Sequence, residues 1–248
     1  MMRSTFKLLF AVGAMAALAT GAQAEDGPED GKRAFRYELK ALGAGAGEAV
    51  LHVGLPEKVG KVMLRPIRID ARTEGLAANF MKADSVATTW VDDRWLPVRS
   101  RWDQVVDGLR RVIKGRFSSK GVAGSEEHNG KPFEKHDHQI GKHPLDLVSI
   151  FTYLMHQTFE PGMVLSIPVF DGRRIYQVDL KVGMMAELML PIGHRKGIPL
   201  KITISRGDYR REAELWISAG KDPAPLKIIF KYGLLGTVEA VLAAEQKG

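Results

Sequence analysis

Asp171-Gly172-Arg173-Arg174-Ile175-Tyr176-Gln177-Val178-Asp179-Leu180-Lys181-Val182 reads as a turn that feeds a strand. An Asp-Gly pair ahead of an apolar run is a strong hairpin signal, because both residues accept the positive φ of a tight reversing turn. Beyond it, Tyr176, Val178, Leu180 and Val182 alternate with Gln177, Asp179 and Lys181. A period of two puts one set on a buried sheet face and the other in water.

The same period extends in both directions along the chain. Phe35, Tyr37 and Leu39 alternate with Arg36, Glu38 and Lys40, and Ala49, Leu51 and Val53 follow a Gly-rich turn. Ile67, Ile69 and Ala71 alternate with Arg68, Asp70 and Arg72; Val98, Ser100 and Trp102 with Arg99, Arg101 and Asp103. Leu226, Ile228 and Phe230 repeat the pattern near the C-terminus. Asp107-Gly108 and Asn129-Gly130 add two more hairpin turns, so neighbouring strands are expected to be antiparallel. Turn signals divide the chain into about ten to twelve strands. Gly43, Gly45 and Gly47 lie between two strand runs. They read as a turn with close backbone packing, since the dinucleotide fingerprint has a different spacing and leads into a helix.

Two segments break the alternation. Residues 75–83 read as a short helix, with Leu76, Phe80 and Met81 as its apolar residues. Residues 144–157 read as a longer one. Pro144 suits a first turn, Asp146 favours the helix dipole there, and Leu147, Ile150, Phe151 and Leu154 at i, i+3, i+4 and i+7 form one apolar face. Ser149, Thr152 and His156 form its polar side. The expected fold is mainly β: one long curved antiparallel sheet, a half-barrel or β-spiral, wrapped around one or two helices. An open sheet of that many strands has to curl or close.

The first 24 residues read as a secretory signal peptide. Arg3 and Lys7 form a basic start, Leu8 to Gly21 a short apolar run, and Ala22-Gln23-Ala24 a cleavage site. Residues 25–33 read as an acidic flexible linker, and 34–248 as a single domain. Cleavage leaves 224 of 248 residues and lowers the charge from +7 to +5 through loss of Arg3 and Lys7. The chain has no cysteine, so neither a disulfide nor a lipidated cysteine is available, and burial alone must hold the fold. The basic residues are scattered rather than gathered into a nucleic-acid arm. In a periplasm their acidic neighbours are lipid headgroups, lipopolysaccharide phosphates or peptidoglycan. No second apolar run reaches membrane-spanning length, so the mature chain is expected to be soluble or peripheral to a membrane.

Phe159-Glu160-Pro161-Gly162, leading into Pro168-Val169-Phe170-Asp171-Gly172-Arg173-Arg174-Ile175-Tyr176, resembles the central motif of a bacterial family of secreted envelope proteins, domain of unknown function 3108. Phe35-x-Tyr37 through Gly47-Glu48-Ala49, Asp146-Leu147-Val148-Ser149-Ile150-Phe151-x-Tyr153, Trp216-Ile217-Ser218, Pro225 and Gly236 to Leu242 resemble its other conserved pieces, in the expected order. Met155-His156 and Gly193-His194-Arg195 depart from the pattern. The resemblance implies a curved β fold, loosely similar to the periplasmic lipoprotein carriers, and implies no reaction.

No Gly-x-Ser-x-Gly elbow or His-Glu-x-x-His helix is present, so the chain is read as non-enzymatic, with no cofactor. His128, His136, His138 and His143, with Glu126, Glu127 and Asp137, invite a metal reading. The Asn129-Gly130 turn instead suggests an exposed polar hairpin with no closed ligand set, and no metal is expected. Leu76, Phe80, Met81, Leu147, Ile150, Phe151 and Leu154 are the candidate ligand-binding residues. They would either line a groove for an acyl chain or plug the curve of the sheet. Met184, Met185 and Met189 read as core or sheet edge. The leading expectation is a periplasmic envelope protein that binds a lipid or an exposed segment of a partner protein. The rivals are a scaffold subunit with a fully packed core and a convex basic docking face, and, third, an enzyme. Export predicts that intact-mass analysis of periplasmic extract finds a chain beginning at Glu25; full-length chain retained in the membrane fraction would contradict it.

Overall fold

The computed structural model describes residues 32–75, 78, 82–231 and 236–248. Strands β1 (Arg33–Ala41), β2 (Ala44–Val53), β3 (Glu57–Val59), β4 (Val62–Thr73) and β5 (Ala83–Val91) come first. They are followed by β6 (Pro97–Val106), β7 (Leu109–Ser118), β8 (Gly121–His128), β9 (Lys131–Gln139) and the two-residue β10 (Leu145–Asp146). Helix α1 (Ser149–Met155) leads into β11 (Val164–Phe170), β12 (Ile175–Val182), β13 (Ala186–Leu190) and β14 (Gly193–Arg206). The chain ends with β15 (Tyr209–Ser218), β16 (Pro225–Lys231) and β17 (Thr237–Lys247).

These seventeen strands form one curved sheet. Its spatial order is β9-β8-β7-β6-β5-β4-β2-β1-β17-β16-β15-β14-β12-β11-β10, with β3 added to β4 and β13 to β14. Every pairing is antiparallel except β10–β11, which makes the sheet mixed. The expected count of ten to twelve strands was low, in part because β3, β10 and β13 are too short to show a period. Among the described residues no helix is long and apolar enough to cross a membrane.

The alternating residues face where the period puts them. Phe35, Tyr37, Leu39, Ile67, Ile69, Val178, Leu180 and Val182 are buried in one core cluster with Leu145, Phe151 and Leu154. The Asp107-Gly108 and Asn129-Gly130 pairs have positive φ at both positions and close the β6–β7 and β8–β9 hairpins. Asp171-Gly172 closes a hairpin too, but through a longer loop. The Asp171 carboxylate accepts the N–H groups of Arg173 (2.9 Å) and Arg174 (2.7 Å) and holds residues 171–174 out of the ladder. Gly47 confirms the close-packing reading, since a Cβ there would lie 1.9 Å from the Arg72 carbonyl oxygen.

The helix differs from expectation. It starts at Ser149, not at 144, because Leu145 and Asp146 pair with Val169 and Phe170. Its cap residue Val148 offers no capping side chain. Asp146 supplies the missing acceptor from two residues back, taking the N–H groups of Val148 (3.1 Å) and Ser149 (2.7 Å) and the Ser149 hydroxyl (2.8 Å). Thr89 of β5 donates to its second oxygen (2.6 Å). Ser149 and Thr152, expected on the polar side with His156, are fully buried, because the sheet curves over this side of α1, while His156 at its end is exposed. Thr152 meets this by donating to the Ser149 carbonyl (3.2 Å). The expected helix at 75–83 falls largely outside the described residues, as do Leu76, Phe80 and Met81, and Ala83 belongs to β5.

Asp146 is buried and its carboxyl is pushed above the usual carboxylate range by burial, against the opposing pull of its hydrogen bonds. The folded chain therefore keeps this proton to higher pH than the unfolded chain, and stability falls as pH rises through that interval. Asp146→Asn can serve the same donors and aim its amide at Thr89. It should equal or exceed wild-type stability at neutral pH, its advantage growing with pH. Asp146→Ala leaves Thr89 and Ser149 without their acceptor and should lose about 2–4 kcal/mol. Urea unfolding of both variants at two pH values measures this.

Candidate functional site

Helix α1 turns one apolar face toward the inner wall of β12, β14 and β15. Leu147, Ile150, Phe151 and Leu154 line an apolar cavity there, opposite Val178, Ile202, Ile204 and Leu215. The four expected helix residues are thus brought together at one groove. Ile202 and Ile204 were missed, although their alternation with Lys201 and Thr203 marks an inward face. Leu147 and Ile150 stay half-buried while Leu154 is fully enclosed. The cavity holds about 90 Å³, several times what one water needs, and a wall this apolar favours hydrocarbon over water. Its polar side chains are Asp171, whose Oδ1 already serves the 171–174 loop, and Tyr176, whose hydroxyl burial pushes above the ordinary tyrosine value.

A second constellation lies on the β8–β9 hairpin. The hairpin is present as expected, but one of its faces is not exposed: the Glu126 side chain is only 1% exposed and that of His136 only 8%. The sheet rolls far enough to bring this face against the 171–174 loop, where His138 Nε2 lies 2.8 Å from the Arg173 carbonyl oxygen. Arg111 Nε donates to Glu126 Oε1 (2.8 Å), which His128 Nε2 also approaches (2.5 Å). Arg173 reaches Glu126 Oε2 (3.2 Å) and pairs with Glu134. Burial would raise the Glu126 carboxyl, but the Arg111 hydrogen bond and the surrounding cations outweigh it and hold it below the usual range. Arg173 does the same for Glu134. Burial lowers the His136 imidazole, whose Nε2 has no hydrogen-bond partner.

Glu126, Glu134 and His136 each offer a ligand atom within 4.8 Å of the others. By distance alone the set could hold a divalent cation. The guanidinium of Arg173 already bridges the two carboxylates, and Arg111 stands on a third side, so the charge is met from within. An added cation would have to displace Arg173.

With this geometry in view, comparison with known proteins identifies the lineage. The family described as protein of unknown function DUF3108 matches residues 36–243. The chain belongs to the DUF3108 family. No curated protein matches this DUF3108 sequence. Among solved structures it is similar to a crystal structure of a β-barrel-like protein of domain of unknown function DUF1849 from Brucella abortus. The TM-score is 0.58 at 12% identity, over 87% of this chain and 97% of that one. A putative exported protein with a YmcC-like fold from Bacteroides fragilis covers 89% of this chain and 98% of its own at 8% identity; its TM-score of 0.36 is too low to bear on the fold. The Brucella likeness concerns the fold alone and agrees with the rolled sheet.

Arg173→Ala should destabilise this DUF3108 chain by about 3 kcal/mol at neutral pH, the lower end of the range for breaking a buried ion pair, because Arg111 still holds Glu126. Both carboxyls are depressed in the fold, so the stability they contribute is present above the ordinary carboxylate range and lost as pH falls. The gap between wild type and variant should therefore narrow toward pH 4. Wild-type protein dialysed against zinc should retain none stoichiometrically; zinc held by wild type and lost in His136→Ala would show that a metal displaces the guanidinium.

Proposed function

We propose that this chain is a non-enzymatic periplasmic cell-envelope protein that shelters the acyl chain of a lipid in the groove between α1 and β12–β15. The observation that carries the reading is the cavity itself: a curved sheet closed over a helix leaves apolar space that its own side chains do not fill. Each methylene moved from water into such a site contributes about 0.8 kcal/mol. The signal peptide read in the first 24 residues supports the location. The groove's polar groups also favour binding over chemistry, since Asp171 is engaged in its own loop and Tyr176 holds its proton.

Native mass spectrometry of protein purified from its host, followed by organic extraction, should find a co-purifying lipid, and delipidated protein should take up a fluorescent fatty acid. Ile150→Trp, at a half-buried position on the groove wall, should reduce uptake with little change in thermal stability. Lipid-free wild-type protein that takes up no fatty acid would replace the carrier with the envelope scaffold, and partner capture by cross-linking would follow.

A further inference from the structure

Strand direction gathers most of the exposed apolar side chains onto one rim of the sheet. Six successive antiparallel pairings separate β2 from β12, so the two run the same way and end at the same rim. At each end the chain makes the same move. Gly54 N–H donates to the Pro66 carbonyl (2.9 Å), and Gly183 N–H to the Pro199 carbonyl (2.8 Å). In both places a Cβ would strike the proline ring, at 2.8 and 2.7 Å from Cγ. Beyond these glycines a hairpin follows, β3 with the start of β4 in one case and β13 with the start of β14 in the other.

Both hairpins carry apolar side chains in water. The first exposes Leu55 at its base and Val62 and Met63 by its turn; the second exposes Met184 (78%) and Met185 at its base and Met189 (68%) on β13, while Leu190 at its turn is packed into the core. The three methionines read from sequence as core or sheet edge therefore belong to an exposed edge. Met163 and Val164 stand at the start of β11, which opposes β12, and Ile140 follows β9; these too lie on this rim. Nine of the twelve large apolar side chains exposed among the described residues are placed here, while Leu42, Leu109 and Phe133 flank turns of the other rim.

Cations accompany the hairpins. Lys58, Lys61, Arg195 and Lys196 are exposed, outnumbering the exposed Glu57 and Glu187 of the same hairpins. β6 starts and β7 ends at the same rim, and there Arg99 stands directly opposite Arg116, with Arg101 opposite Lys114. Like charges facing one another weaken a ladder. Arg101 and Lys114 find Asp103 and Glu127. Arg99 instead lies over the Trp90 ring at 4.1 Å.

We propose that this rim docks on an anionic lipid bilayer, with the exposed apolar side chains of the two hairpins seated among the acyl chains and the flanking cations against lipid phosphates. Apolar side chains spread over two separate hairpins suit a deformable apolar medium better than a shaped protein pocket, and unbranched methionine adapts to such a medium. Exposed apolar groups with Lys and Arg in excess over nearby carboxylates are the composition of surfaces that lie in a membrane interface. The inference goes beyond the acyl-chain groove and is separable from it. Tyr176 at the start of β12, Ile204 near the end of β14 and Phe230 near the end of β16 place that groove toward the opposite rim.

The test is co-sedimentation of the purified exported chain with vesicles of phosphatidylglycerol and phosphatidylethanolamine, against vesicles of phosphatidylcholine. Wild type should bind the anionic vesicles, and more weakly as salt rises. Met184→Ser/Met185→Ser/Met189→Ser should lower affinity by about tenfold without changing the thermal melt. Lys58→Gln/Lys61→Gln/Arg195→Gln should flatten the salt dependence. Leu42→Ser/Leu109→Ser at the other rim, and Ile150→Trp in the groove, should bind as wild type. Failure to bind either vesicle, or binding that the rim variants leave intact, would overturn the proposal. So would a dimer in sedimentation velocity that the triple methionine variant dissociates, because the rim would then be a contact between copies.

Discussion

One antiparallel ladder, β1 against β17, joins the two halves of this sheet. On one side β2, β4 and β5 to β9 pair in succession, each with the strand before it; on the other, β16 back to β10 do the same. Among the described residues, the ladder that connects them runs from Arg33↔Lys247 to Ala41↔Val238. The join is well secured. Phe35 is fully buried in it, and the Tyr37 hydroxyl reaches past β17 to the Pro225 carbonyl at 2.8 Å. A pairing between chain ends this far apart carries a large loop-closure entropy and forms slowly. Without it, each half would present a long unsatisfied edge.

The far edges of the sheet meet through side chains, not through a ladder. Arg173 ties Glu126 and Glu134 of the β8–β9 hairpin to the β11–β12 loop, while Phe170 packs edge-on against Phe117 at 6.0 Å. This seam makes the sheet barrel-like while leaving it open. It also explains a Glu-Glu-His set, buried at Glu126 but partly exposed at Glu134, that looks like a metal centre: the cluster closes the roll, and the Arg173 guanidinium pairs with both carboxylates. An ionic seam gives up some stability against an apolar one but fixes which edges meet.

Within that roll, α1 is held at both ends by tertiary contacts. Asp146 anchors its start to Thr89, and His156 at its end stacks on Trp95 at 3.8 Å. A seven-residue helix has little stability of its own, so these anchors set how closely it approaches the wall of β12–β15 and how much apolar space remains between them. The same strand directions put the exposed apolar side chains of the two hairpins and the groove at opposite halves of the sheet, which separates a surface contact from a binding pocket.

Alternation and turn chemistry alone determined that this chain is one curved sheet around a helix, because a period of two and an Asn-Gly or Asp-Gly pair act through neighbouring residues. The groove wall at α1 was legible for the same reason: Ile150, Phe151 and Leu154, with Leu147 just ahead of the helix, repeat at helical spacing. The helix start was not, because the backbone of Asp146 is claimed by Phe170, twenty-four residues away. Nor was the burial of Thr152, Glu126 and His136, since a polar residue is enclosed only when distant strands roll over it. The gathering of Met63 and Met184 on one rim also belongs to tertiary structure alone. It depends on whether an even or odd number of antiparallel steps lies between two strands, and that parity exists only once every strand has found its neighbour.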